Sequence, residues 1–186
     1  MAVNPNKIRY GLKNVHYAKL TEAVSDTYAE PSAIAGAVNL SLTPVGESTS
    51  FIADDMEYYI AQGNNGYEGT LEIAILPEDF RKTIMGEVED TKKVLFEKAS
   101  ANPEPFALLF EFTGDAHQIK HVLYKCIVTR ANIEGAATIS KEVKTVTLNI
   151  QVLPNKAGYV KANTKSDTDA TVSGNWYTTV QTFVGT

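Results

Sequence analysis

Apolar residues recur at every second position over several stretches of the chain. In GAVNLSLTPV, Val38, Leu40 and Leu42 alternate with Asn39, Ser41 and Thr43. In GYEGTLEIAIL, Leu71, Ile73 and Ile75 alternate with Thr70, Glu72 and Ala74. In VKTVTLNIQVLP, Val146, Leu148, Ile150 and Val152 alternate with Thr145, Thr147, Asn149 and Gln151. Successive side chains of a strand point to opposite faces, so these stretches predict half-buried strands with one apolar and one small polar face. Two more strands are less regular. PFALLFEFTG is apolar on both faces as far as Glu111. HVLYKCIVTRANI sets Val122, Tyr124, Cys126 and Val128 on one side against a mixed Leu123, Lys125, Ile127 and Thr129 side. LKNVHYAKL predicts a first strand and KKVLFEKA a short one.

One helix interrupts the strands, over 77–88. Pro77 suits the first helical position, where its missing N–H is no loss. Glu78 and Asp79 lie in the positive first turn, with Arg81 and Lys82 after them. Phe80, Ile84 and Val88 fall at i, i+4 and i+8 and form one apolar stripe.

Three stretches fall outside this pattern: MAVNPNKIRYG, VGESTSFIADDMEYYIAQGNN, and everything after Pro154. Connections this long in a compact domain are functional or disordered more often than not. The chain therefore divides into a β domain over 1–154, including a projecting loop at 45–65 and the helix, and a C-terminal arm over 155–186. Lys161–Ser173 is polar and lacks a packing period, which predicts a mobile arm in a free subunit. Trp176, Tyr177 and Phe183 are its candidate anchors on a neighbour. The glycines of GNNGYEG read as a hairpin turn, since no helix follows them directly.

Composition narrows the classes. Hydrophobic residues make up 44% of the 186 and charged residues 21%, ordinary values for a globular chain with a core. A formal charge of −5 argues against non-specific attraction to nucleic acid or anionic membrane. The start, MAVNPNKIRYGLK, has no apolar stretch of the secretory type. The single cysteine, Cys126, rules out an intrachain disulfide and reads as a small buried hydrophobe. A reducing cytoplasm suits such a chain.

Candidate chemistry is thin. Asp54 and Asp55, with Glu57 nearby, invite an acid–base or metal reading, but neighbours on an extended chain point apart. His117 and His121 are spaced i, i+4. On a strand that spacing separates them by about 13 Å, so they do not make a metal pair. No phosphate loop or G-x-S-x-G elbow occurs, and Cys126 lies in a core strand, away from the electropositive niche a nucleophile needs. No catalytic residue, metal ligand or cofactor is expected. Tyr58, Tyr59, Tyr67, Trp176 and Tyr177 keep a sugar-binding reading in view, in which the chain is a carbohydrate-binding or virion decoration module; as packing anchors they fit core or interface.

The sequence resembles the major tail proteins of long-tailed, non-contractile bacteriophages. The resemblance rests on NKIRYGLKNVHYAKLT, TLEIAILPEDFRKTIMGE, YKCIVTRANIEGAATISKEVKTVTLNIQVLPN and VKANTKSDTDATVSGNWYTTV, which together span most of the chain. It implies an antiparallel β-sandwich flanked by one helix, related to the type VI secretion tube. It implies hexameric rings that stack into a tube through which genomic DNA leaves the virion. Partners would be further copies of the chain, the tape measure, tail terminator and distal tail proteins, and DNA in transit. The place would be the virion tail, assembled in the host bacterial cytoplasm, with no membrane contact. The loop at 45–65 takes the position of the arm between rings, with Phe51, Ile52, Asp54, Asp55, Met56, Tyr58 and Tyr59 as inter-ring contacts. The polar strand faces, with Asn39, Ser41, Thr43, Thr70, Glu72, Thr145, Thr147, Asn149 and Gln151, would line the channel. They carry no Lys or Arg that would hold phosphates.

Overall fold

A computed structural model describes residues 10–114, 117–131 and 144–185. The strands are β1 (Leu12–Glu22), β2 (Thr27–Tyr28), β3 (Ser32–Ala33), β4 (Ala37–Val45), β5 (Ser48–Ala53), β6 (Met56–Gln62) and β7 (Gly66–Ile73). Helix α1 (Glu78–Thr83) follows, then β8 (Val88–Glu89), β9 (Leu95–Phe96), β10 (Phe106–Phe112), β11 (Lys120–Val128), β12 (Val146–Val152), β13 (Lys161–Asn163) and helix α2 (Ala170–Gly174). The fold is mainly β, as the alternation predicts. The N-terminal stretch before Tyr10 and the 132–143 part of the long β11–β12 connection lie outside the described residues.

Nine strands form one antiparallel sheet in the order β2-β1-β10-β11-β12-β7-β4, with β3 added to β1 and β13 to β11. The sheet curls until β1 and β4 touch, so its two halves face each other as in a sandwich. The space between is filled by Tyr17, Leu71, Ile73, Phe106, Leu108, Leu148 and Ile150, all buried. Helix α1 closes one end of this core with Phe80 and Ile84, both fully buried, and Phe80 packs edge-on against Tyr17 and Phe106.

The two-faced apolarity of β10 has a structural cause. Phe106, Leu108 and Phe110 point into the sandwich. Ala107 and Leu109 point outward and are also buried, together with Ala18, Val122 and Tyr124, under Trp176 and Val180. The C-terminal segment thus covers the outer face of the β1–β10–β11 half.

Several positions differ from expectation. β11 contains a bulge. The pairing shifts between Phe106↔Cys126 and Leu108↔Leu123, and Lys125 sits at φ 43°. The extra residue reverses the alternation, so Cys126 and Val128 face the inner core while Val122 and Tyr124 face outward. A similar irregularity between Ala37 and Asn39 turns Val38 out to 52% exposure and gives its inward place to Ala37. β7 ends at Ile73, so Ile75 is exposed. The helix is shorter than 77–88. Pro77 is its N-cap, Ile84 its C-cap, and Gly86 at φ 76° turns the chain away. Val88 therefore belongs to β8 and not to the helical stripe.

Candidate assembly surfaces

The first surface is the outer face of β12, β7 and β4. The register sets its polar side chains in cross-strand rows: Thr147, Glu72 and Asn39; Asn149, Thr70 and Ser41; Gln151, Glu68 and Thr43. Asn39, Ser41, Thr43, Thr147, Asn149 and Gln151 are exposed, while Thr70 and Glu72 are half-buried. Thr145, just before β12, donates its hydroxyl to Glu72 Oε1 at 2.5 Å. The eight residues expected on this face that lie in β4, β7 and β12 are therefore neighbours on one surface, and Thr145 sits at its border. Glu68 completes the third row and was missed, although it shares the parity of Thr70 and Glu72. None of the three strands contains Lys or Arg.

The second surface is an arm. The stretch expected as a loop is a two-stranded hairpin, β5 against β6, separate from the main sheet. Its turn is Asp54-Asp55, at φ 53° and 57°, the double left-handed geometry of a two-residue type I′ loop. The two carboxylates are therefore the exposed tip of a hairpin, not positions on an extended chain. Asp at both central positions is what permits the turn, because its short polar side chain tolerates the left-handed region. The Gly63–Gly66 stretch is correspondingly not the hairpin turn. It is the joint between arm and sheet, where Gly63 N–H donates to Glu47 O at 2.9 Å and Asn65 N–H to Val45 O at 2.8 Å. Gly46 faces Gly63 across this joint, and a Cβ there would overlap the Gly63 carbonyl oxygen.

No side chain of β6 is buried. Phe51, Ile52, Met56, Tyr58, Tyr59 and Ile60 are between 57% and 76% exposed. A hairpin that exposes six large apolar side chains is a candidate interaction surface by the ordinary test of exposed patches.

The third region is the C-terminal segment. Its expected role as a free arm anchored on a neighbour differs from what is seen. β13 pairs with β11 through His121↔Asn163, Val122↔Ala162 and Leu123↔Lys161. Asp169 caps α2 by accepting from the Thr171 and Val172 N–H groups, which lowers its carboxyl pKa, the Thr171 bond most. Trp176 is 3% exposed, and its Nε1–H donates to His121 O at 3.4 Å. Tyr177 packs against His16 with ring centres 4.6 Å apart. The Tyr124 hydroxyl donates to Gln181 O at 2.5 Å, and burial pushes that phenol up to about 12. The cause is geometric: the outer faces of β10 and β11 need a cover, and these residues supply it. Phe183 and Val184 stay exposed.

The chemical candidates do not converge. Cys126 is fully buried, which pushes its thiol pKa well up, and the side chain points at backbone carbonyls. His121 stacks on Phe110 at 5.2 Å. A charged cleft is lined by Glu78, Arg81, Lys82, Glu89 and Lys93, in which Arg81 pairs with Glu87, and Lys82 and Lys93 pair with Glu89. Among the described residues no group of three or more His, Cys, Asp or Glu is placed to hold a metal ion. No helix among them is long and apolar enough to cross a membrane.

The fold itself has counterparts. Over 90% of this chain and 99% of the other, it superposes on a chain of the anti-feeding prophage baseplate, solved by cryo-EM with 6-fold symmetrisation, with a TM-score of 0.50 and 9% identity. A chain of the anti-feeding prophage tube-terminating cap gives 0.49 at 10% identity over 89% and 95%. A sheath/tube terminator of the PVC extracellular contractile injection system gives 0.47 at 9% over 82% and 94%. No family model and no curated protein matches the chain. The fold is thus one that also occurs in an anti-feeding prophage baseplate.

Proposed function

We propose that the chain is a structural subunit of a phage tail, of the major tail protein type, whose copies close into hexameric rings and stack into a tube that conducts DNA. The observation that carries this reading is the arm. It leaves the sheet through a hydrogen-bonded joint, exposes six large apolar side chains and, among the described residues, is covered by nothing in its own chain. The shared fold and the sequence resemblance support the same reading.

Each part of the surface has a role in this assembly. The rows on β12, β7 and β4, with Glu68 added, line the channel. Short polar side chains and two carboxylates offer phosphates no cationic partner, so DNA slides without counterion-releasing contacts. Phe51, Ile52, Asp54, Asp55, Met56, Tyr58 and Tyr59 bridge one ring to the next. Residues 1–154 form the wall, residues 155–186 brace its outside, and Phe183, packed on one side against Tyr159, has its exposed side toward a neighbour. Further tail proteins close the two ends of the tube.

The test is negative-stain electron microscopy of the purified chain at increasing concentration. Rings with a central hole, joining into tubes, are the expected result. Monomers at every concentration, with binding to immobilised glycans through the arm tyrosines, would replace this reading with that of a carbohydrate-binding or decoration module.

A further inference from the structure

The arm has a counterpart at the other end of the subunit. β4 and β12 both run toward the end where Val45, Gly66 and Val152 lie, and the arm leaves from there. β7 runs back to Ile73, and α1, β8 and β9 follow directly at the far end. That far end carries a second exposed apolar cluster. Val88 pairs with Phe96 across the small hairpin, and Val94 precedes Phe96 by two residues, so the three share one face. Their exposures are 46%, 53% and 47%. The turn beneath them is set by Asp90, whose Oδ1 accepts the N–H groups of Lys92 and Val94 at 2.9 Å each. Helix α1 holds the hairpin through Lys82 and Glu89, 3.0 Å apart.

The charges at the two ends are complementary. From Gly46 to Gly66 the arm carries Glu47, Asp54, Asp55 and Glu57 and no Lys or Arg. Around the small hairpin two of the three carboxylates have cationic partners, and the third, Asp90, is turned onto the N–H groups of Lys92 and Val94. Glu89 is held by Lys82 and Lys93, and Glu97 by Arg130 at 2.7 Å. Lys92 and Lys98 are exposed and, among the described residues, meet no carboxylate. An arm-to-arm contact would bring like charges together, whereas arm-to-hairpin contact pairs acidic with basic and apolar with apolar. A contact between two different patches at opposite ends of one chain is heterologous, and where copies stack along one axis it repeats without closing, which is the geometry of a filament.

We infer that the open face of the β8–β9 hairpin, rimmed by Lys92 and Lys98, is the socket for the arm tip of a second copy of the chain. This rests on the assembly reading above and assigns the receiving half of the contact.

The full-length chain with Met56→Cys and Lys92→Cys tests it, because Cys126 is buried and does not compete. Mild oxidation of the assembled protein should give a non-reducing gel ladder of dimers, trimers and longer products, absent from either single variant. Separately, Lys92→Glu with Lys98→Glu should lower the polymerised fraction about tenfold at low salt, and Glu57→Lys in the same chain should recover part of it. Tubes that form normally yet give only monomer bands after oxidation, and that ignore the charge reversal, would overturn the socket while leaving the assembly reading intact. A wild-type chain that forms no polymer would overturn both.

Discussion

The β5–β6 arm and the C-terminal segment carry similar side chains and end in opposite states. The arm exposes Phe51, Tyr58 and Tyr59 at 61%, 76% and 63%, whereas Trp176 in the C-terminal segment is 3% exposed. What differs is the surface each one meets. β10 and β11 present Leu109, Val122 and Tyr124 on their outer face, and the C-terminal segment lies on them. Beyond Val45 and Gly66 the sheet ends, so among the described residues the arm has nothing of its own chain to cover. A buried Trp removes roughly 200 Å² from water, worth about 5 kcal/mol as an upper bound at ~25 cal/mol per Å². That stabilisation is realised within the folded subunit for the C-terminal segment. For the arm, which none of the described residues covers, it is still available to another molecule.

The sharpest way to break this comparison is to truncate one residue on each side of it. Trp176→Ala should lower the unfolding free energy by ~3–5 kcal/mol in urea titration, and Tyr58→Ser by less than ~0.5 kcal/mol. Equal costs would mean that the arm packs on its own subunit. Trp176 emission should also be blue-shifted already in dilute subunit and stay so on assembly. Next in size is the joint. Gly46→Val forces a side chain against the Gly63 carbonyl and should cost roughly 1–3 kcal/mol, with faster amide exchange at Gly63 and Asn65.

Smaller effects refine the C-terminal side. Asp169→Ala removes the α2 cap and should lower the melting temperature modestly. Because the folded-state carboxyl pKa is depressed, this contribution is present above the ordinary carboxylate pKa and lost as pH falls through the depressed value. The gap between Asp169→Ala and wild type should therefore close in acid. Thr147→Lys, on the exposed polar face, should change stability by less than about 1 kcal/mol. If the face lines a DNA channel as proposed, virions carrying Thr147→Lys should eject DNA more slowly, with partial recovery at higher salt.

Much of the sheet was legible in the residues. The period-two runs in β4, β7 and β12 specify both the strands and their polar face, because one face of each is buried. Phe80 and Ile84 were legible as the buried side of α1. The two bulges were not. Lys125 has no preference for the left-handed region, so nothing at that position announces the reversal that carries Cys126 inward. The arm strands carry no period because neither face is buried, and Asp54-Asp55 lacks the glycine that usually marks a type I′ turn, so the hairpin was not legible. The home of Trp176 had a signal elsewhere in the chain. A β10 that is apolar on both faces requires a second cover, and the C-terminal segment is rich in side chains able to provide it.

The central claim is that the arm drives association and contributes nothing to the fold. Its most direct test is the chain with Ser48–Gln62 replaced by a short glycine linker, compared with wild type by sedimentation velocity and electron microscopy at matched concentration. Shortening a loop costs little chain entropy, so the subunit should fold, with unchanged circular dichroism and Trp176 emission. On the proposed assembly the wild type forms stacked tubes at this concentration, and the shortened chain should sediment as subunits without them. Tubes of wild-type length from the shortened chain would contradict the account.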